Sequence, residues 1–157
     1  MKSVTALIIL RDSLRTNLTD PYVLAGGSVR GGTTWIWLDE PHTAFKYPQV
    51  VITKVDNPSR PIDIGPNYTE HEQLILNIWV YSKNGFKITV GGVEYSNAML
   101  VEYYQGLIKE TLKAQFNTLF AAGVKNYKHL NTSGVAYDPD TQLYYGNITC
   151  EVAYFNV

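Results

Sequence analysis

Residues 72–82, Glu72-Gln73-Leu74-Ile75-Leu76-Asn77-Ile78-Trp79-Val80-Tyr81-Ser82 (EQLILNIWVYS), alternate two sets of side chains. Leu74, Leu76, Ile78 and Val80 form one set; Ile75, Asn77, Trp79 and Tyr81 form the other. A period of two belongs to a β-strand, whose successive side chains point to opposite faces. The first set is wholly aliphatic and reads as core. The second is less greasy and reads as a face for a partner or a covering helix.

On the N-terminal side, PQVVITKV (48–55) is rich in β-branched residues and bounded by prolines, which makes it a second strand. The two strands are joined by KVDNPSRPIDIGPN (54–67), with three prolines, a glycine, two aspartates and an arginine. Its prolines stiffen the connection and limit the entropy lost on docking, so it reads as a contact arm, with Arg60 and Asp63 as the charges to mutate. Reversing Arg60 is expected to impair assembly while leaving the fold intact. Further upstream, Val4, Leu7, Ile8, Leu14 and Leu18 recur at helical spacing and predict an amphipathic helix from Ser3 to Thr19, ending before Asp20-Pro21. GGSVRGG (26–32) reads as a flexible connection, and TTWIWL (33–38) as a short strand.

On the C-terminal side, Asn84-Gly85 begins a new pairing, and Phe86 to Val93 forms a small hairpin around Gly91-Gly92. Ser96 can cap a long helix running to about Ala122 and closing at Gly123. Its apolar stripe is Leu100, Tyr104, Leu107, Ile108, Leu112, Phe116 and Leu119. Two more strands are predicted, around Tyr127–Tyr137 and Gln142–Phe155, joined by Asp138-Pro139-Asp140. In the last, Ile148, Cys150, Val152 and Tyr154 share one face, which makes Cys150 a small core residue. With no regular βαβ alternation, the expected fold is α+β in one domain over residues 1–157. Its antiparallel sheet has about four main strands, two helices pack on one face, and a small hairpin is inserted.

Composition narrows the function. A chain of 157 residues with formal charge −1 and no run of Lys or Arg lacks the footprint that phosphate backbones require, so no direct nucleic-acid recognition is expected. A single cysteine rules out an intrachain disulfide and Cys-based zinc fingers, and fits a reducing compartment. The opening MKSVTALIIL is interrupted by Arg11 and Asp12 where a signal peptide needs small residues, and no apolar run is long enough to span a bilayer. Asn-X-Ser/Thr triplets at Asn17, Asn67, Asn131 and Asn147 carry little weight without export.

Candidate chemistry is sparse. GGSVRGG lacks the Gly-Lys-Ser/Thr ending of a phosphate-binding loop. Glu70-His71-Glu72 alternates sides once it enters the strand, so it does not assemble a ligand cluster by itself. No Gly-x-Ser-x-Gly elbow occurs, and Asp138 and Asp140 flank a proline as turn residues do. The expectation is a protein without catalysis, metal or cofactor. The 12 tyrosines and 3 tryptophans, against only 17% charged residues, suit half-buried surfaces and subunit contacts.

The order of segments resembles the tail terminator or tail-completion proteins of tailed bacteriophages. The residues that carry the likeness are Arg11-Asp12-Ser13-Leu14-Arg15 in the first helix, Tyr47-Pro48-Gln49-Val50-Val51-Ile52, the polar loop, Leu74 to Ser82, the long helix and the closing strands. The pattern covers nearly the whole chain without an invariant motif, and the Phe86–Val93 insertion departs from it. The resemblance implies a virion structural protein that closes into a homo-oligomeric, hexameric ring. Such a ring caps the tail tube, ends its polymerisation and joins the head connector at the neck, after assembly in the host cytoplasm. In such a ring Trp35, Trp37, Trp79 and Tyr81 become interface candidates, each with burial in the core as the alternative. Two other roles stay open: another neck or head-completion connector, and a monomeric ligand- or glycan-binding module that uses its aromatic residues.

Overall fold

In the computed structural model the alternation at 72–82 lies inside a 14-residue strand, and the rest of the sheet is built around it. The structure describes residues 3–27, 30, 35–39, 41, 46–56, 59–61 and 70–156. The elements run α1 (Ser3–Asn17), α2 (Pro21–Leu24), β1 (Ile36–Leu38), β2 (Gln49–Asp56), β3 (Ser59–Pro61), β4 (Glu70–Lys83), β5 (Lys87–Val90) and β6 (Val93–Ser96). They continue with α3 (Asn97–Ala114), α4 (Phe116–Ala121), β7 (Val124–Thr132), β8 (Ala136–Asp138) and β9 (Leu143–Asn156).

The sheet order is β1-β2-β4-β9-β7, with β3 paired to β4 and β8 to β9. β4 and β9 pair along their whole lengths, from Glu70 opposite Asn156 to Lys83 opposite Leu143, and form the spine. The even-numbered residues of that spine, Leu74, Leu76, Ile78 and Val80 with Ile148, Cys150, Val152 and Tyr154, are buried with Val50 and Ile52 of β2. Against them pack Leu7, Leu10 and Leu14 of α1, Leu100, Val101, Tyr104, Ile108 and Leu112 of α3, and Leu119 of α4. Fully burying one such aliphatic side chain is worth about 1.5–3 kcal/mol, so this face carries most of the hydrophobic driving force. The α+β class and the helices on one face are as expected, and β5–β6 forms the inserted hairpin.

Several details differ from the sequence reading. Among the described residues the sheet adds the short strands β1, β3 and β8 to the four long ones, and β1 runs parallel to β2, with Ile36, Trp37 and Leu38 opposite Val50, Val51 and Ile52. Strand direction leaves no mark on composition, so the sequence alone does not reveal this pairing. The long helix is two helices broken at Gln115. The break shifts the phase of the stripe: Leu119 enters the core, while Phe116 turns outward and is 37% exposed. Ser96 occupies the N-cap without a capping side-chain bond. Asn97, in a left-handed conformation at φ 53, instead accepts the Gly85 N–H through Oδ1 at 3.0 Å and ties the hairpin base to the helix. The strand predicted at 127–137 is two strands, β7 and β8, which share β9 as partner.

Gly26-Gly27 and Arg30 are not a free linker. A Cβ on Gly27 would stand 2.4 Å from the Tyr22 ring, so the backbone passes where only glycine fits. Arg30 makes a bidentate pair with Asp20 (Nε–Oδ2 2.7 Å, Nη2–Oδ1 2.5 Å), with both side chains nearly buried, and donates to the carbonyls of Lys46 and Pro48. Ser28, Val29, Gly31 and Gly32 lie outside the described residues.

Gly146 is needed for a different reason. Gln105 of α3, 3% exposed, donates through Nε2 to the carbonyls of Ser133 (3.2 Å) and Asn147 (3.3 Å). A Cβ at 146 would stand 2.5 Å from that nitrogen and 3.4 Å from Val101 Cγ1. Gly146→Ala therefore pushes the buried Gln105 amide off both part-buried carbonyls, of which that of Asn147 keeps the Ser133 N–H at 2.9 Å, a loss of about 1–3 kcal/mol. The expected drop in melting temperature is roughly 2–4 °C per kcal/mol, and an unchanged melting curve would show that Gln105 relaxes without loss.

Candidate assembly surface

The odd-numbered residues of the spine face away from the helices. Near one end of the sheet they form an aromatic cluster: Trp79 and Tyr81 of β4, Tyr145 of β9, and Tyr47 just before β2. Strand geometry produces it. Trp79 and Tyr81 are two apart on one strand, and Tyr81 lies directly opposite Tyr145. Trp79 stacks on Tyr81 (centroids 6.3 Å apart, 26° between planes), Tyr145 lies 6.3 Å from Trp79 and 6.2 Å from Tyr81, and Tyr47 lies 6.4 Å from Tyr81. Val51, the buried cross-strand partner of Trp79, lies on the same face. Burial, then the neighbouring hydroxyls of Tyr47 and Tyr145, push the Tyr81 phenol above its ordinary range, so Tyr81 stays neutral at physiological pH.

Along the strands from the cluster the face becomes polar. Asn77 Oδ1 accepts from Asn147 Nδ2 (2.9 Å) and Thr149 Oγ1 (2.7 Å), and Gln73 donates to Glu151 at 3.4 Å. At the other side of the cluster, Asp138, the last residue of β8, accepts from Thr141 Oγ1 (2.8 Å) and the Asp140 N–H (3.0 Å) of the β8–β9 turn. The Thr141 hydroxyl first, and then the Asp140 amide, hold its carboxyl below the usual carboxylate range. Trp79, Tyr81, Asp138, Thr141, Leu143 and Tyr145 line a shallow depression of about 350 Å³.

The residues singled out from the sequence do not come together as one site. Trp79 and Tyr81 share this face. Trp35 is in the core, 1% exposed, with its ring edge-on to Tyr104 at 5.7 Å and 74°. Trp37 is half-buried under the Arg15 guanidinium, 5.7 Å from its ring, and Arg15 also donates to the Ile36 carbonyl (Nε 3.0 Å, Nη2 2.5 Å). That arrangement ties β1 to α1 and occupies an outward-facing carbonyl of the edge strand. Arg60 lies in β3, opposite His71. Part of the connection is thus a strand of the sheet, and Asp63 lies outside the described residues. Tyr47, Tyr145 and Asp138 were missed as site residues. The β4–β9 register brings Tyr145 to Tyr81, the β2–β4 register brings Tyr47, and the β8–β9 pair brings Asp138 opposite Leu143.

Glu70, His71 and Glu72 enter β4 as the start of a strand, and the Glu72 carboxylate accepts from the Tyr154 hydroxyl at 2.5 Å. Among the described residues no group of three His, Cys, Asp or Glu side chains is placed to hold a metal, and no helix is long and apolar enough to cross a membrane. Cys150 is fully buried, and burial pushes its thiol up to about 12. The thiolate is the nucleophile, so at pH 8 Cys150 is expected to resist iodoacetamide in the native protein and to react quickly in denaturing urea. Rapid native labelling would show that the core around β9 opens.

No protein-family model matches the chain, and no curated protein does. Among solved structures it is similar to a chain of "Virion of native gene transfer agent (GTA) particle", over 94% of this chain and 92% of that one, with TM-score 0.42 and 11% identity. A likeness of that size carries no role from one chain to the other.

Proposed function

We propose that this chain is a virion structural protein, a tail terminator. Its copies close into a ring, hexameric as the resemblance implies, on the last ring of the tail tube. Its partners are further copies of itself, the tail tube protein and a head connector protein, and its place is the neck of a virion assembled in the host cytoplasm. The role is geometric: a closed ring covers the surface on which the next tube ring would form and offers a new face to the head. The order of elements supports this reading, and one observation carries it. The sheet is packed by helices on one face and leaves a cluster of Tyr47, Trp79, Tyr81 and Tyr145 half-buried on the other. Rigid aromatic groups of this kind dominate the energetics of protein contacts. Arg60, in β3 beside β4, belongs to the proposed contact arm, to which the sequence also assigns Asp63.

Imaging of particles made without this protein by negative-stain microscopy tests the role. Tubes of abnormal length and unjoined heads are the expected result. Tails of normal length joined to heads would eliminate it.

The depression beside Trp79 favours a second reading, a monomeric glycan-binding module in which a sugar ring stacks on Trp79 and Asp138 receives its hydroxyls. A chain that stays monomeric at all concentrations and binds immobilised glycans through Trp79 would favour it over the ring.

A further inference from the structure

Charge is segregated along the C-terminal part of the chain. Residues 111–137 include Lys113, Lys125 and Lys128 and no Asp or Glu, whereas residues 130–157 include Asp138, Asp140 and Glu151 and no Lys or Arg. The fold sets Lys128 opposite Glu151 across β7 and β9, and leaves Lys125 and the Asp138 and Asp140 carboxylates in two separate patches. At the α4–β7 corner, Phe116 and Phe120 are 37% and 48% exposed, with rings 6.0 Å apart. Lys125 Nζ lies 4.3 Å from the Phe120 ring centre and donates to the Phe120 carbonyl at 3.0 Å. The second patch is the Trp79, Tyr81 and Tyr145 cluster, bordered by Asp138 at the end of β8 and by Asp140 in the exposed turn that follows; Lys83, opposite Leu143, and Lys46, next to Tyr47, are nearby lysines.

The two patches cannot meet within one chain. β7 starts opposite Tyr154 while the acidic turn feeds into Leu143, and at roughly 3.3 Å per residue these ends of β9 are about 35 Å apart. They also lie on opposite faces, because Leu119 of α4 enters the helix-side core and Trp79 points the other way. Pairing the acidic patch with itself would set Asp138 and Asp140 against their own copies, a like-charge contact that disfavours a two-fold dimer through this face.

We infer that these patches are the two halves of the contact between successive copies of this chain. Phe116 and Phe120 of one copy lie on the Trp79, Tyr81 and Tyr145 face of the next, and Lys125 faces its Asp138–Asp140 turn. Aromatic groups and a lysine on one side match aromatic groups and carboxylates on the other, in apolar character and in charge. Because the patches differ and sit at opposite ends, the contact is head-to-tail, the kind that generates rings. The inference rests on the ring reading above and specifies its interface.

Cross-linking of full-length protein through engineered cysteines tests it. Asn117→Cys lies on α4 and Asp140→Cys in the acidic turn, both exposed, while native Cys150 is buried. The two new cysteines are too far apart to bridge within one chain. Under mild oxidation the double variant is expected to give a ladder of covalent oligomers, and a mixture of the two single variants only dimers. Dimers from either single variant alone would overturn the inference in favour of a two-fold contact. Unmodified protein that sediments as an oligomer while the double variant gives no ladder would overturn the inference and leave the ring reading standing. Unmodified protein that stays monomeric, alone and mixed with purified tail tubes, with no ladder in either case, would overturn both.

Discussion

Trp35→Ala is expected to lower the free energy of unfolding by about 3–5 kcal/mol, the range for deleting a large aromatic side chain from a packed core. That is a large share of the 5–15 kcal/mol that holds typical domains together. Trp35 is fully enclosed, meets Tyr104 edge-on, and immediately precedes β1, whose partner β2 is hydrogen-bonded back through Val50 N–H to the Trp35 carbonyl at 2.7 Å. Tyr104 in turn donates to the Thr19 carbonyl at 3.2 Å, so the tryptophan sits where α3, the end of α1 and the sheet edge meet. The cavity left by alanine would loosen all three. Urea denaturation checks this, with Trp35→Phe as a milder control. A loss below about 1 kcal/mol would mean that the ring is not a core element.

Trp79→Ala should behave in the opposite way. Its ring lies on the open face, where the stacked contact with Tyr81 and the tilted one with Tyr145 are each worth about 0.5–1.5 kcal/mol, so the fold tolerates the change. Self-association should not. A central aromatic anchor at a protein contact is typically worth about 2–4 kcal/mol, which corresponds to a weakening of roughly 30- to 1000-fold in the dissociation constant. Sedimentation velocity across a concentration series reads that shift directly, and circular dichroism confirms that the variant is folded. Self-association equal to that of the unmodified chain would remove the aromatic face from the interface.

The contrast between two tryptophans shows what local pattern carries and what it does not. Alternation at 72–82 placed Leu74, Leu76, Ile78 and Val80 in the core and Trp79 and Tyr81 on the other face, because a strand's period of two is a local property. Trp35 and Trp37 lie on a three-residue edge strand and its flank, too short a stretch for periodicity to assign sides. One unbroken helix would put Phe116 on the core stripe with Leu112 and Leu119. The break at Gln115 is a tertiary outcome: it turns the chain so that Leu119 can fill the space beside β7.

By itself, then, the amino-acid sequence determined the α+β class, the covering helices, the hairpin and the inward face of the central strands. Each of these follows from hydrophobic periodicity and turn chemistry within a few residues. Only the tertiary structure decided the parallel β1–β2 pair, the role of Gly146 beneath Gln105, and the assembly of Tyr47, Trp79, Tyr81 and Tyr145 into one surface. These depend on which residues stand opposite one another across strands far apart in the chain. Register is settled by packing the whole buried face at once, so no short stretch encodes it alone.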